Sequence, residues 1–343
     1  MTTSERPTRQ RREPSMADVA KLAGVSSQTV SRVSNGHTNV DDATRDRVVA
    51  AMRTIGYRPN SAARALRSGR FQNIGVIMFT LSTFGNMRTL DAIATAAAAA
   101  DYSVTLIPIP DPTLGSVSGA YTKLSTQAVD GVIIIFEAHM IDHADIALPP
   151  GLPVVVVDSN AGDEYMVVDN DQGEGARLAT EHLISLGHRS IAHIAGPPSS
   201  FSAARRVESW QQSLEKAGLD VPEVLHGDWS AESGYRHGLA LAAREDVTAI
   251  FAANDQMALG AMRALHETGR RVPGDVSVVG FDDMEESKSF WPPLTTVHQD
   301  FGEIGRRAMQ TLVDEITGAP HRTGRSLVPI RLVVRESTAA PRS

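Results

Sequence analysis

A chain of 343 residues with 42% hydrophobic content has room for two or three domains, each with its own core. It contains no cysteine, which excludes a disulfide framework and a thiolate metal site and fits a reducing cytoplasm, and no apolar run approaches the length of a membrane span. The net charge of −7 divides unevenly: residues 1–70 hold 13 Lys/Arg against 6 Asp/Glu, whereas the remainder holds 20 against 34, a basic head for phosphates on an acidic body that avoids them.

Residues 1–15, MTTSERPTRQRREPS, carry Arg6, Arg9, Arg11 and Arg12 without an apolar stretch, so they read as a disordered basic arm and not as a secretory signal. Ser15 followed by Asp18 fits a capping box that opens a first helix. The stretch DVAKLAGVSSQTVSRVSN then reads as two short helices broken at Gly24, with Ser26 capping the second. Val19, Ala20, Ala23, Val25, Val30 and Val33 form a buried seam. The helix period leaves Ser27, Gln28, Thr29 and Arg32 on the outer face, the end that enters a major groove, where Gln suits adenine and Arg suits guanine. The alternative is a three-helix bundle without a nucleic-acid role. Turn chemistry from Asn35 to Asn39 precedes a third helix over 42–55, capped by Asp41 and ended by Gly56, with Val48, Met52 and Ile55 on its inner face.

Residues 57–69 are too short for a stable isolated helix. From residue 74, short apolar strands at 74–79, 104–108, 131–136, 154–157, 190–195, 249–252 and 276–279 alternate with helices at 89–100, 175–186, 203–217, 233–243 and 256–267. Continuous apolar strands with helical crossovers predict parallel sheets covered on both faces: an α/β core of two Rossmann-like lobes, periplasmic-binding-protein-like, behind an all-α helix-turn-helix domain. The expected divisions are the arm at 1–15, the helix-turn-helix at 16–58, a hinge at 59–70, the two-lobed core at 71–335 and a tail at 336–343. The first lobe takes 71–168 and 298–328, the second 169–297 and 329–335.

The D-V-A-x-x-A-G-V-S-x-x-T-V-S-R-V pattern resembles the LacI/GalR family of bacterial repressors. The stretches GPPSSFSAARRVESW, GDWSAESGY, FAANDQMALGAMRAL, VVGFDD and PPLTTVHQDF extend the likeness over residues 16–335. The resemblance implies DNA contacts from Ser26, Ser27, Gln28, Thr29, Arg32 and Asn35. It also implies a hinge helix containing Asn60, Ala63, Arg64 and Leu66, whose leucine wedges into the minor groove; a plain linker is the alternative. For the effector, Arg206 aligns with the family's sugar-binding arginine and Ser202 with a neighbouring contact. Asp158, Asn254, Asp282 and Gln299 fall at matching positions, and Trp229 and Phe301 are apolar walls. Such a set supplies donors, acceptors and flat rings for a polyol; an interlobe Arg206–Asp282 ion pair without ligand is the alternative. Phe79, Thr83, Gly85 and Asn86 make the expected first-lobe wall, which departs from a family member matched closely elsewhere.

The expected function is a transcriptional repressor, not an enzyme, that binds a palindromic operator as a homodimer and is released by a small sugar, a galactoside or other disaccharide. No cofactor and no metal are expected, and the location is cytoplasmic, on the nucleoid when operator-bound. A sugar-binding protein without a transcriptional role, or a repressor using a purine-like corepressor, are the competing readings. The chain stops at Ser343 without the heptad helix that makes some family members tetramers, hence the dimer. Gly173-Glu174-Gly175 is an incomplete dinucleotide fingerprint, and His139, Asp142 and His143 are a weak metal motif.

Overall fold

The computed structural model describes residues 14–34, 37, 39–58, 69–109, 119–120, 123–124, 128–135, 151–158 and 165–342. Two compact units divide after Phe71. Asn35, Asn60, Ala63, Arg64 and Leu66, and the His139–Asp142–His143 motif, lie outside the described residues.

The first unit contains α1 (Met16–Ala23), α2 (Ser27–Ser34) and α3 (Asp42–Ile55). Each start has a side-chain cap. Ser15 and Asp18 form the reciprocal capping box, Ser26 Oγ accepts from Thr29 N at 3.1 Å, and Asp41 Oδ1 accepts from Thr44 N at 2.9 Å. Gly24 ends α1 at φ 66°, a left-handed backbone that glycine adopts without Cβ strain, and so turns the chain into α2. Val19, Ala20, Ala23, Val30, Val33, Val48 and Ala51 are buried together, with Val25, Met52 and Ile55 packed on their rim. So small a core leans on its caps. Ser15→Ala is expected to cost about 1 kcal/mol, seen as roughly fivefold faster hydrogen exchange of the α1 amides. Unchanged exchange would show that the box carries no stability.

The second unit holds two six-stranded sheets. The first has β1 (Asn73–Met78), β2 (Ser103–Pro108), β3 (Gly131–Ile135), β4 (Val154–Val157), β5 (Met166–Asn170) and β11 (Gly324–Val328), in the order β11-β5-β4-β3-β1-β2, with every pairing parallel. The second has β6 (Ile191–Ala195), β7 (Leu225–His226), β8 (Ala249–Ala252), β9 (Ser277–Asp282), β10 (Thr295–His298) and β12 (Arg331–Val333). Their order is β12-β10-β9-β8-β6-β7, and only β12 pairs antiparallel. Helices α4 (Phe84–Ala99) and α9 (Phe301–Ile316) serve the first sheet. Helices α5 (Gln172–Ser185), α6 (Phe201–Lys216), α7 (Ala231–Ala242) and α8 (Asp255–Glu267) serve the second.

Alternation along the strands builds two cores per sheet. Ile74, Val76 and Met78 join Ile93, Ala97, Ile304 and Leu312 on one face of β1, whereas Ile77 joins Leu124, Val132 and Ile134 on the other. Val154–Val157 and all six residues of β9 are buried, as strands covered on both faces must be. The chain passes from one sheet to the other between β5 and α5, between β10 and α9, and between β11 and β12. These crossings bring the carboxyl ends of both sheets to a common cleft. Residues 336–342, expected as a tail, pack on the second sheet: Val278 N donates to Ser337 O at 2.8 Å, and the buried Ser337 hydroxyl donates to Val278 O at 2.6 Å.

Candidate functional site

On α2 the seam valines face inward and leave Ser27, Gln28 and Arg32 exposed, with Ser26 exposed at the cap and Thr29 half-buried. The Ser26 and Thr29 hydroxyls lie 3.0 Å apart. The outer face of α2 therefore presents hydroxyl and amide groups at the helix start and the Arg32 guanidinium in its last turn, the chemistry that meets phosphates and base edges.

The second site is a cavity of about 60 Å³ between the strand ends of the two sheets. From the first lobe come Thr83, Phe84, Gly85 and Asn86 at the start of α4, Thr89 one turn on, Asp158 just past β4, and Asp169 and Asn170 ending β5. The second lobe contributes Gln172, Ser202, Arg206, Trp229, Asn254 and Asp282, and Gln299 and Phe301 stand at the second crossing. Asp158, Trp229 and Asp282 all have positive φ, at 53°, 69° and 110°. Backbone strain of this kind gathers where a site needs a side chain aimed off the regular strand or helix path.

Arg206 is the central charge. It is 4% exposed, its Nε and Nη2 donate to Gln172 Oε1 at 3.0 and 2.7 Å, and its Nη1 donates to Ala253 O. The guanidinium carbon lies 3.7 Å from the centre of the Phe281 ring and 5.5 Å from that of Trp229. The Trp229 indole lies so close over Gly196 that a Cβ there would come within 2.3 Å of it. Its position is fixed again by Asn254, whose Nδ2 donates to Trp229 O at 3.0 Å while Oδ1 caps α8 through Met257 N at 2.8 Å. Trp229 Nε1 and Asn170 Oδ1 are buried with no hydrogen-bond partner among the described residues. One unsatisfied donor and one unsatisfied acceptor beside a cavity are what a polar ligand would complete.

Burial pushes the Asp282 carboxyl up from 3.8 to about 7, against the pull of Arg206, with Asp255 adding to the rise and Gln299 opposing it. Beneath it, burial raises Asp255 to about 6 although Ser287, Thr296 and Met284 N all donate to it. Both folded values lie above the unfolded one. Their stabilising contribution is thus complete below about pH 4 and is lost as pH rises through about 6 to 7. We expect the melting temperature of wild type to fall between pH 5 and 8 more steeply than that of Asp282→Asn. Identical slopes would remove Asp282 as a source of the dependence.

Of the expected effector residues, Asn86, Asp158, Ser202, Arg206, Trp229, Asn254, Asp282, Gln299 and Phe301 line the cavity, as do Thr83 and Gly85. Phe79 does not, and that expectation is corrected. Its side chain packs on the Ile77 face of β1 with the core that contains Leu124 and Ile134, because residues two apart on an extended strand share a face. Sequence reasoning missed Phe84, Thr89, Asp169, Asn170 and Gln172. The signal for the last three was an apolar run, MVV, ending in polar residues just before a helix, since open sheets bind ligands at their carboxyl ends. Arg206 and Asp282 both belong to the second lobe, so the expected alternative of a pair between lobes does not describe them. Gly175 serves packing: a Cβ there would lie 2.6 Å from Phe281. Among the described residues no group of three or more His, Cys, Asp or Glu could hold a metal, and no helix is long and apolar enough to cross a membrane.

Two family models match the chain: bacterial regulatory proteins, lacI family, over residues 15–60, and a periplasmic binding protein-like domain over residues 180–338. The lactose operon repressor of Escherichia coli (strain K12) is 37% identical over 326 residues, covering 94% of this chain and 90% of that protein. The HTH-type transcriptional repressor PurR of Haemophilus influenzae (strain PittEE) is 35% identical over 305 residues, covering 88% and 90%. Among solved structures, the lac repressor dimer bound to operator and the anti-inducer ONPF matches with a TM-score of 0.86 at 37% identity, over 96% of this chain and all of that one. A complex of the transcriptional regulator CelR with cellobiose matches with a TM-score of 0.71 at 33% identity, over 94% and 99%. Relatives of this identity and coverage are transcriptional regulators and not enzymes, and the chain belongs to the LacI family of bacterial transcriptional regulators.

Proposed function

We propose that this regulator is a repressor that binds a palindromic operator as a homodimer and releases it when a small neutral sugar occupies the cleft between its lobes. The observation that carries the effector half is the buried Arg206 over Phe281, set among Asp282, Asn170 and Trp229. Among the described residues Arg206 is the one cation lining a cavity that also holds three carboxylates, Asp158, Asp169 and Asp282. Burial pushes Asp169 and Asp282 up to about 7, so near neutral pH these acids are partly protonated; a polyol, both donor and acceptor, can hydrogen-bond to them in either state and accept from the guanidinium and the indole N–H. The similarity to the lactose operon repressor and to a cellobiose-bound regulator favours a galactoside or other disaccharide. Room for roughly four to six waters is too little for two sugar rings, so a disaccharide would part the lobes or extend from the mouth.

DNA is read by Gln28 and Arg32 on α2, with Ser26, Ser27 and Thr29 at phosphates. The expected contribution of Asn35 and of the hinge residues Asn60, Ala63, Arg64 and Leu66 is part of the same proposal. For the effector to act, it must bind the two lobe arrangements with different affinity, since a ligand indifferent to both shifts nothing. The test is calorimetry with galactosides, glucosides, cellobiose and purines, followed by binding to upstream DNA fragments with and without each ligand. Purine binding without sugar binding would replace the inducer reading by a corepressor one, which the similarity to PurR makes the second candidate. A glucoside preference would overturn only the galactoside part. Sedimentation at micromolar protein should show a dimer.

A further inference from the structure

We infer that Gln172 is the positioning residue of the effector site: its amide oxygen sets the plane of the Arg206 guanidinium, and its amide nitrogen ties that guanidinium to the second interlobe crossing through Gln299. This rests on reading Arg206 as an effector contact.

Arg206 offers only donors, so the amide oxygen of Gln172 must be the end that faces it. That single oxygen accepts from both Nε and Nη2, and Ala253 O takes Nη1, so at least three of the five guanidinium N–H groups are spent within the chain. Two anchors along one edge and one at the far nitrogen fix the rotation of the group in its own plane, while the Phe281 ring at 3.7 Å fixes the plane itself. Without the oxygen at 172, two N–H groups of a 4% exposed cation would lose the acceptor that fixes their direction, and the guanidinium would be released to turn.

The nitrogen of Gln172 does something different. It donates to Gln299 Oε1 at 3.3 Å and to Asp169 Oδ1 at 3.4 Å, both at the long end of hydrogen-bond range. Gln299 Oε1 also accepts from Asn170 Nδ2 at 2.9 Å, and Gln299 Nε2 donates to Asp282 Oδ1 at 2.6 Å. Gln172 is the first residue of α5, immediately after the first crossing, and Gln299 lies in the second. The relay Arg206–Gln172–Gln299–Asp282 thus joins two cavity-lining charges by way of both crossings. Within the relay the long link is Gln172–Gln299, between the crossings, and the short ones fall at the charges; the bond from Asn170 to the same Gln299 oxygen, at 2.9 Å, holds the crossings together beside it. A ligand that pulls on Arg206 and Asp282 therefore acts first on the Gln172–Gln299 bond, the longest in the relay.

The test uses the full-length protein labelled with nitrogen-15, with Gln172→Met and Gln172→Glu as variants. Methionine keeps the bulk and removes both functions; glutamate keeps the acceptor for Arg206 and removes the donor to Gln299. The Arg206 Nε–Hε resonance, assigned by its absence in Arg206→Lys, should be slow to exchange in wild type and in Gln172→Glu. In Gln172→Met it should exchange at least tenfold faster. Affinity for lactose or cellobiose should fall at least tenfold in the Met variant and stay within threefold in the Glu variant, with sugar-free operator affinity unchanged in both. The Glu variant should still show at least a threefold smaller loss of operator affinity on sugar saturation. A protected resonance in Gln172→Met overturns the positioning role, as does unchanged sugar affinity or a parallel fall in operator affinity. Wild-type release in Gln172→Glu overturns the tie to Gln299. If neither sugar binds the wild type, the effector reading fails instead, and the resonance alone decides what holds Arg206.

Discussion

Arg206→Ala is expected to bind its operator as tightly as wild type and to ignore the inducer. The guanidinium is buried, it is the one cation among the described residues lining the cavity, and a sugar hydroxyl placed against it would exchange a charged partner for a void. Losing a hydrogen bond to a charged group costs roughly 1.5–3 kcal/mol, or about one to two orders of magnitude in affinity. The true loss should sit at the upper end, because Gln172 Oε1 and Ala253 O lose their donors with it and the faces of Phe281 and Trp229 lose their cation. Arg206→Met, which fills more of the space, separates charge from volume: it should restore melting temperature without restoring induction. Calorimetry with the inducing sugar and an operator-release titration measure the two quantities. Inducer affinity within threefold of wild type in both variants would take Arg206 out of the effector site.

Element identity was most legible where punctuation and periodicity agreed. The third helix, read as 42–55 from Asp41 and Gly56, is Asp42–Ile55, and the four valines of β4 fall as expected. Helix starts were read late where the first turn is poor in helix formers. α4 begins at Phe84 and not at residue 89, because Thr83 gives no side-chain cap and Gly85 and Asn86 argue against a helix that tertiary packing nonetheless holds. α5 begins at Gln172, three residues before its expected start, under an Asp171 cap hidden by the two glycines that follow. Strands β5, β7, β10 and β11 went unread. β5 ends in Asp169 and Asn170, and β10 carries the buried Thr295, which bonds to Ser337, Thr338 and Arg335, partners 40 or more residues away that no local pattern announces. α9 was missed although Ile304, Ala308 and Leu312 recur at helical spacing; Gly302 and Gly305 break its propensity, and Gly305 is needed where the helix meets Ala92 and Ile93. Apart from Phe84 and Asp169, the charged and aromatic cavity residues came from motif likeness. Gln172, a polar residue with no motif around it, takes its meaning only from what the fold sets beside it.

Arg32→Ala is expected to cost on the order of 1–3 kcal/mol on the correct operator and to relax preference at one base position, as the loss of one bidentate base contact does. The physical basis is local. Val30 and Val33 are buried on α2, so the helix cannot rotate without exposing them, and Arg32 between them is held on the outer face. Gln28 lies four residues earlier, one turn away on that face, and is also exposed, so the two reach neighbouring base pairs from a helix whose start is fixed by the Ser26 cap. Because Arg32 is exposed, its removal should leave the melting temperature of the first unit within experimental error, which separates a reading defect from a folding one. A phosphate contact behaves differently: losing it weakens all duplexes alike and lowers the salt slope by about one. Titrating wild type and variant against operator, single-base variants and a scrambled duplex at two salt concentrations distinguishes the cases. If Arg32→Ala kept full discrimination and lost affinity equally on every duplex, Arg32 would be a backbone contact and base reading would pass to Gln28 and its neighbours. If it lost nothing on any duplex, α2 would not be the reading helix.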